Sequence, residues 1–253
     1  MKPIDVVIAH GSDHGALHLA RHLASHPLGR NVLLLRPETL AMARWSHALD
    51  SGGRAHTRLT LPDGLRLEGK DIGVLINRIQ CLTAPLFRQA SAKDRDYADM
   101  ELQALVTSWL GELGDRVVPS LRRYPWLIPS ITHLNWAEAA LEAGLPIANT
   151  QRRVTGGPIH SHFHHDENIK RASPAGQVLV AGEYLGGSLA DCFGKGCLAV
   201  ARRLALPLLL FRFEDRGAGP ALRDVSLFPP MREPWEVQLA GRMVESMAKE
   251  MAP

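Results

Sequence analysis

Cysteine is scarce in this chain: Cys81, Cys192 and Cys197 are the only three in 253 residues, and no two form a CxxC pair. That excludes a disulfide framework and a zinc ribbon and leaves the thiols as small buried hydrophobes. Long apolar runs are missing as well. No stretch approaches the roughly 20 residues that a membrane span needs. Residues 1–10 read as a strand pattern, without a long apolar signal core or a cleavage site, so a cytoplasmic protein that meets no membrane is expected. Runs of one charge are also absent. The 29 Lys and Arg are scattered among 26 Asp and Glu for a formal charge of +3, too little to argue for a nucleic-acid partner. Aromatics make up only 6%, and Trp109, Tyr124, Trp126, Trp136 and Trp235 are too dispersed for a base-stacking platform, so core or interface packing accounts for them. No Walker or dinucleotide glycine spacing, no nucleophile elbow and no His-Glu-x-x-His helix motif occurs.

What is present is an α/β alternation. The apolar run 4–9 ends in the glycine-bearing loop 11–15, a helical pattern covers about 16–24, and a second apolar run follows at 32–35. Strand, helix, strand favours a parallel sheet. Residues 54–67 alternate around Pro62-Asp-Gly64, a hairpin turn signal. Residues 72–77 read as another buried strand. A long helix is then expected, because Tyr97, Leu102, Leu105, Val106, Trp109, Leu110 and Leu113 recur at spacings of three and four, closed by Gly114. A short strand at Val117 and Val118, a helix over about 134–142 and a strand over 145–150 complete this half. The second half offers a strand over 177–187, a helix from about Gly196, a strand over 208–213 and a final segment, 223–230.

Several stretches carry a resemblance. Asn77-Arg78, Asp94-Arg-Asp-Tyr97, Ser108-Trp-Leu110 and Glu138-Ala-Ala-Leu-Glu-Ala-Gly-Leu-Pro146 are similar to the first half of ATP-grasp ligases that act on peptides, and the order of elements in 177–230 resembles the closing third of that superfamily. The resemblance implies an α/β fold, with a pre-ATP-grasp-like parallel-sheet domain over 1–150 and a truncated ATP-grasp-like α+β portion over 177–253. It also implies that an acid on the penultimate strand and Glu-hydrophobic-Asn on the last would hold magnesium against ATP phosphates. The matching positions here are Arg212, Asp224 and Ser226, with Glu214 as a second match for the first acid. Arg78, ending a buried strand at the sheet edge, corresponds to where peptide ligases present a basic group to an acidic substrate; a surface salt bridge explains it equally well. Asn77, Arg78, Arg212 and Asp224 are therefore the expected substrate-binding residues.

Between the two matching halves only residues 151–176 are available, room for a hairpin or a loop with one short helix, and Lys170 is the one lysine there. With arginine at a cation position and so short a nucleotide cradle, ATP with magnesium is expected to bind weakly or not at all, and ligation to have been lost. The interval itself reads Thr155-Gly-Gly-Pro-Ile-His160-Ser-His162-Phe-His164-His165-Asp166-Glu167. On an extended strand His160, His162 and His164 share one face, and with His165 and Asp166 they suit zinc, nickel, copper or iron; the plain alternative is a solvated polar loop. His10, His14, His18, His22 and His26 recur every four residues and read as a polar helix stripe. Gly186-Gly187 and Gly194-Lys-Gly196 read as turn chemistry rather than phosphate loops. The expected function is binding of a peptide or small carboxylate, or partnership with a full-length ligase. A metalloprotein and a residual ATP-dependent carboxylate–amine ligase are the alternatives, and a homodimer is a further option.

Overall fold

The computed structural model describes residues 3–25, 30–79, 82–84, 87, 89–120, 133–148, 173–215 and 217–251. Along the chain run β1 (Ile4–Ile8), α1 (His14–Ala24), β2 (Asn31–Leu35), α2 (Pro37–Met42), β3 (Arg44–Leu49), β4 (Ala55–Thr60), β5 (Arg66–Glu68), β6 (Ile72–Asn77), α3 (Ala92–Leu113), β7 (Val117–Val118), α4 (His133–Glu142), β8 (Ser173–Ala181), β9 (Tyr184–Gly186), α5 (Ala190–Leu204), β10 (Leu208–Asp215), β11 (Pro220–Ser226) and α6 (Pro234–Glu250). No helix among the described residues is long and apolar enough to cross a membrane.

The described residues form three sheets. The continuous apolar runs pair in parallel in the order β2-β1-β6-β7, the second half forms an antiparallel sheet β11-β10-β8-β9, and β3-β4-β5 form a small antiparallel sheet. Side-chain alternation then assigns the faces. From the parallel sheet Val6, Ile8 and Leu75 point into a core shared with Val106, Trp109, Leu110 and Leu113 of α3 and with Leu59 and Leu67 of the small sheet. Trp45 of β3 meets Trp109 edge to face, centroids 5.6 Å apart. Val7, Val74 and Ile76 point the other way, onto α1 and α6. That second core also takes Leu179, Ala181, Leu208 and Leu210 from the antiparallel sheet, so α6 is wedged between the two large sheets. Val178, Val180, Leu209, Phe211 and Phe213 fill a third core under α4 and α5.

Helix α6 has clear local causes that the apolar-run reading passes over. Pro234 occupies its first turn, and Glu233 and Glu236 form a reciprocal capping box. Val237, Ala240, Met243 and Val244 then fall on one buried face. Each fully buried Val or Met contributes about 1.5–3 kcal/mol, so this helix accounts for much of the adhesion between the sheets. Other differences are smaller. Residues 177–187 are a hairpin, β8 and β9, rather than one strand, and α5 begins at Ala190, ahead of the expected start. In α3 only the C-terminal half packs; Tyr97 is 61% exposed although it keeps the helical spacing. Of the expected strand over 145–150, Ile147 makes one parallel bridge, to Leu222 of β11.

Candidate functional site

Strand β6 ends in Asn77, followed directly by Arg78, at the carboxyl edge of the parallel sheet, where α/β folds place ligands. Asn77 is buried, and its Oδ1 accepts from the Ile79 amide at 3.2 Å, which holds the turn out of the strand. Arg78 reaches across the edge. Its Nε donates to Asp13 Oδ2 at 2.7 Å and its Nη2 to Asp13 Oδ1 at 3.2 Å, a fork-to-fork pair. Nη2 also donates to the Pro229 carbonyl at 3.0 Å, and the guanidinium lies 5.8 Å from the Phe228 ring centroid. The side chain is only 4% exposed, yet Nη1 has no hydrogen-bond partner among the described residues. A buried N–H of a charged group without an acceptor is costly.

Asp13 does two things here. It is the N-cap of α1, accepting from the Ala16 amide at 3.0 Å, and it is the counter-ion of Arg78. Burial pushes its carboxyl pKa up, but the Arg78 hydrogen bond, the Ala16 amide and the guanidinium charge outweigh burial and hold it below the ordinary carboxylate value. The sequence signal was modest: Ser12-Asp13-His14 precedes the helical pattern as a cap would, but nothing local joins it to residue 78.

The second cluster lies on the antiparallel sheet. Arg212 of β10 stands opposite Asp224 of β11 and Gln177 of β8. Arg212 Nε is 3.6 Å from Asp224 Oδ1, and Arg223 Nε is 2.9 Å from Asp224 Oδ2. Phe211 and Phe213 point into the third core, so Arg212 points to the opposite face, the one whose other half α6 covers. Gln177 marks the border, its Nε2 donating to Glu236 Oε1 of α6 at 3.2 Å. The face is thus divided into an apolar half under α6 and a polar half of Gln177, Arg212, Asp224 and Ser226. Glu214, two residues beyond Arg212, is 5% exposed. The Ser226 hydroxyl donates to the Phe228 carbonyl at 3.3 Å. The segment that carries Phe228 and Pro229 to Arg78 therefore begins at this polar face, and the two clusters adjoin through it.

The remaining expected residues fall elsewhere. His160, His162, His164, His165 and Asp166 lie outside the described residues. His10 is exposed at the end of β1, and His14, His18 and His22 follow along α1. Among the described residues no group of three or more His, Cys, Asp or Glu could hold a metal ion. Gly194 and Gly196 lie inside α5, where a Cβ would come to 3.0 Å of Leu185 and 2.6 Å of Leu145, so they allow close packing rather than cradling a phosphate.

The donor chemistry of the polar face fits a magnesium nucleotide. Asp224 and Glu214 supply hard carboxylate oxygens of the type that magnesium takes, and the Arg212 guanidinium matches a phosphate.

No family model matches the sequence, and no curated protein matches it. Solved structures do. The macrocyclase MdnC of Microcystis aeruginosa MRC, bound with precursor peptide MdnA, is 11% identical with a TM-score of 0.69, over 96% of this chain and 99% of that one. A RiPP-associated ATP-grasp ligase of Chryseobacterium gregarium, in complex with ADP and a leader and core peptide, is 10% identical with a TM-score of 0.71, over 99% and 98%. The ATP-grasp ligase PsnB, complexed with minimal precursor, Mg and ADP, is 12% identical with a TM-score of 0.66, over 97% and 98%. These matches correct the cofactor expectation. A transition metal (zinc, nickel, copper or iron) in place of ATP and magnesium is overturned by whole-chain neighbours that hold ADP with Mg, or AMPPNP. The physical reason lies in Arg212: a guanidinium repels a bare cation, which argues against magnesium alone, but its planar fork is compatible with phosphates that carry the cation. From the parallel sheet to β11, this chain has the fold of the ATP-grasp ligases that modify peptides.

Proposed function

We propose that the chain is an ATP-dependent ligase that acts on a carboxylate of a peptide. The observation that carries this reading is the Arg78 guanidinium, buried at the sheet edge with Nη1 lacking an acceptor and with the polar half of the antiparallel sheet beside it. In this reading Nη1 donates to the substrate carboxylate, while Asp13 and the Pro229 carbonyl hold the guanidinium in place. Arg212 meets the phosphates, and Asp224 with Glu214 takes the magnesium. A bound nucleotide would supply the phosphoryl group that turns a carboxylate oxygen into a leaving group. The protein contributes the placement: a dry, pre-oriented donor for the carboxylate and a charge-balanced row for the phosphates. The likeness to structures that hold ADP and precursor peptides supports the same pairing of ligands.

The test separates the two clusters. Calorimetry with ADP and magnesium should find magnesium-dependent binding, weakened about tenfold or more in Asp224→Asn, a loss of about 1.4 kcal/mol. Arg78→Gln should leave nucleotide binding intact and abolish turnover of a glutamate-bearing peptide. Nucleotide binding that ignores magnesium, or an Arg78→Gln protein that turns over peptide as the native chain does, would overturn the reading.

A further inference from the structure

The histidine series of α1 has no part in the site above, and it borders a separate feature. Between α1 and the first turns of α6 lies a cleft of about 310 Å³. It is lined by His18, Arg21 and His22 from α1, by Arg232 from the loop before α6, and by Pro234, Val237 and Gln238 of α6, of which Pro234 and Val237 supply the apolar part. Among the described residues no carboxylate lines it. The two nearest in sequence are engaged elsewhere: Glu236 is 1% exposed and accepts from the Arg232 amide at 2.7 Å, and Glu233 and Glu236 close the capping box of α6. No ion pair to the guanidinium of Arg21 or Arg232 is found among the described residues.

The cleft is held by fixed parts. His18 Nδ1 lies 3.4 Å from the Met231 carbonyl, to which it donates. Met231 is fully buried with φ of +49°, a left-handed conformation that an L residue keeps only when its surroundings enforce it. The His22 ring lies against Gly241, where a Cβ would come to 2.7 Å of the imidazole, so α6 yields the space that the ring fills.

We propose that this cleft docks an acidic segment of a peptide. One carboxylate pairs with Arg21, another with Arg232, and an aliphatic residue between them covers Val237 and Pro234. Charge complementarity selects this occupant: each helix region contributes one guanidinium, a planar fork suited to a carboxylate, and the same cleft presents apolar Val237 and Pro234, which a bare anion would not use. The inference rests on the reading that the substrate is a peptide and deepens it. Arg78 takes the reacting carboxylate, whereas the cleft, about one to three turns further along α1 from Asp13, binds a distant acidic segment.

Fluorescence anisotropy with a labelled peptide of alternating Glu and Leu tests the docking. The native chain should bind it saturably and lose affinity as salt is added. Arg21→Gln with Arg232→Gln should weaken binding about tenfold, which is about 1.4 kcal/mol. Arg54→Gln with Arg66→Gln removes the same charge from exposed positions elsewhere and should leave binding within about twofold, since isolated exposed charges contribute little. An equal loss in that control, or no saturable binding by the native chain, would overturn the proposal. Loss in Arg78→Gln with none in the Arg21 and Arg232 variant would also overturn it, while leaving the reading of Arg78 as the peptide's carboxylate donor standing.

Discussion

Replacing Asp13 by Asn isolates the charge of the Arg78 pair from every other role of that side chain. Asparagine caps a helix about as well as aspartate, so the hydrogen bond from the Ala16 amide survives. What disappears is the anion against a guanidinium that is 4% exposed. Breaking a fully buried pair from one side costs about 3–5 kcal/mol. Asp13 is 22% exposed and the Pro229 carbonyl still accepts from Arg78, so we expect a loss of about 2–3 kcal/mol at neutral pH. The pH dependence follows from linkage. The folded carboxyl pKa lies below its unfolded value, so its contribution is complete above about pH 4 and is lost as pH falls through the depressed folded pKa. Urea unfolding of native chain and variant should show a lower midpoint with an unchanged slope, and the gap between them should close below about pH 4. A loss under about 0.5 kcal/mol at neutral pH, or a gap that persists undiminished at about pH 3, would refute the pairing. Asp13→Ala should cost about 1 kcal/mol more, because the cap goes as well.

Gly15→Ala should lower the melting temperature although alanine favours helix by about 1 kcal/mol, because the added Cβ would lie 2.3 Å from the Pro230 carbonyl oxygen, a backbone atom. The forced shift of the 229–231 segment should cost a net 1–3 kcal/mol or so, and an unchanged or raised melting temperature would show that α1 and this segment are not in contact. Of the two described cysteines, Cys192 is exposed, whereas burial pushes the Cys197 thiol up to about 12. Iodoacetamide at neutral pH should therefore modify Cys192 in the native protein and Cys197 only after denaturation, as read by peptide mass spectrometry; rapid native labelling of Cys197 would count against the packing of α5.

The strands that sit deepest were the most legible. Residues 4–8, 72–77 and 208–213 are short apolar runs bounded by turns or charge, and burial on both faces leaves them few alternatives. The helix α6 lacks a continuous apolar run, and only Glu233-Pro234 and the spacing of Val237, Ala240, Met243 and Val244 carry its start and its buried face. Its apolar positions are interrupted by Gly241 and by Glu236, which looks like a solvent residue until its cap and its bond to Gln177 are seen. The candidate site's charged residues are visible in the sequence, but their arrangement is not. Arg78, Arg212 and Asp224 stand out as charges among apolar runs, but their partners are non-local: 65 positions separate Arg78 from Asp13 and 151 separate it from Pro229. No period or motif encodes such a pair.

Strand β11 breaks period-two alternation. Leu222 and Val225 both pack into the core under α4 and α5, three positions apart, where strict alternation would pair Leu222 with Asp224. The register explains this: Arg212 stands opposite Asp224 and Phe213 opposite Leu222, so Arg223 is an extra residue, a bulge. Without it Asp224 would be driven into the apolar core, or Leu222 onto the polar face. With it, Asp224 and Ser226 join Arg212 on the face beyond α6, and Leu222 keeps its place under α4 and α5. The local rule is broken at the position where the sheet turns from an apolar packing surface into a polar one, as expected when a strand must re-aim side chains without changing its path. A second bulge on the other side of β10, between Phe213 and Glu214 in the pairing with β8, falls at the same level. Strand β10, an inner strand of the sheet, is thus irregular towards both neighbours at the point where its charged residues begin.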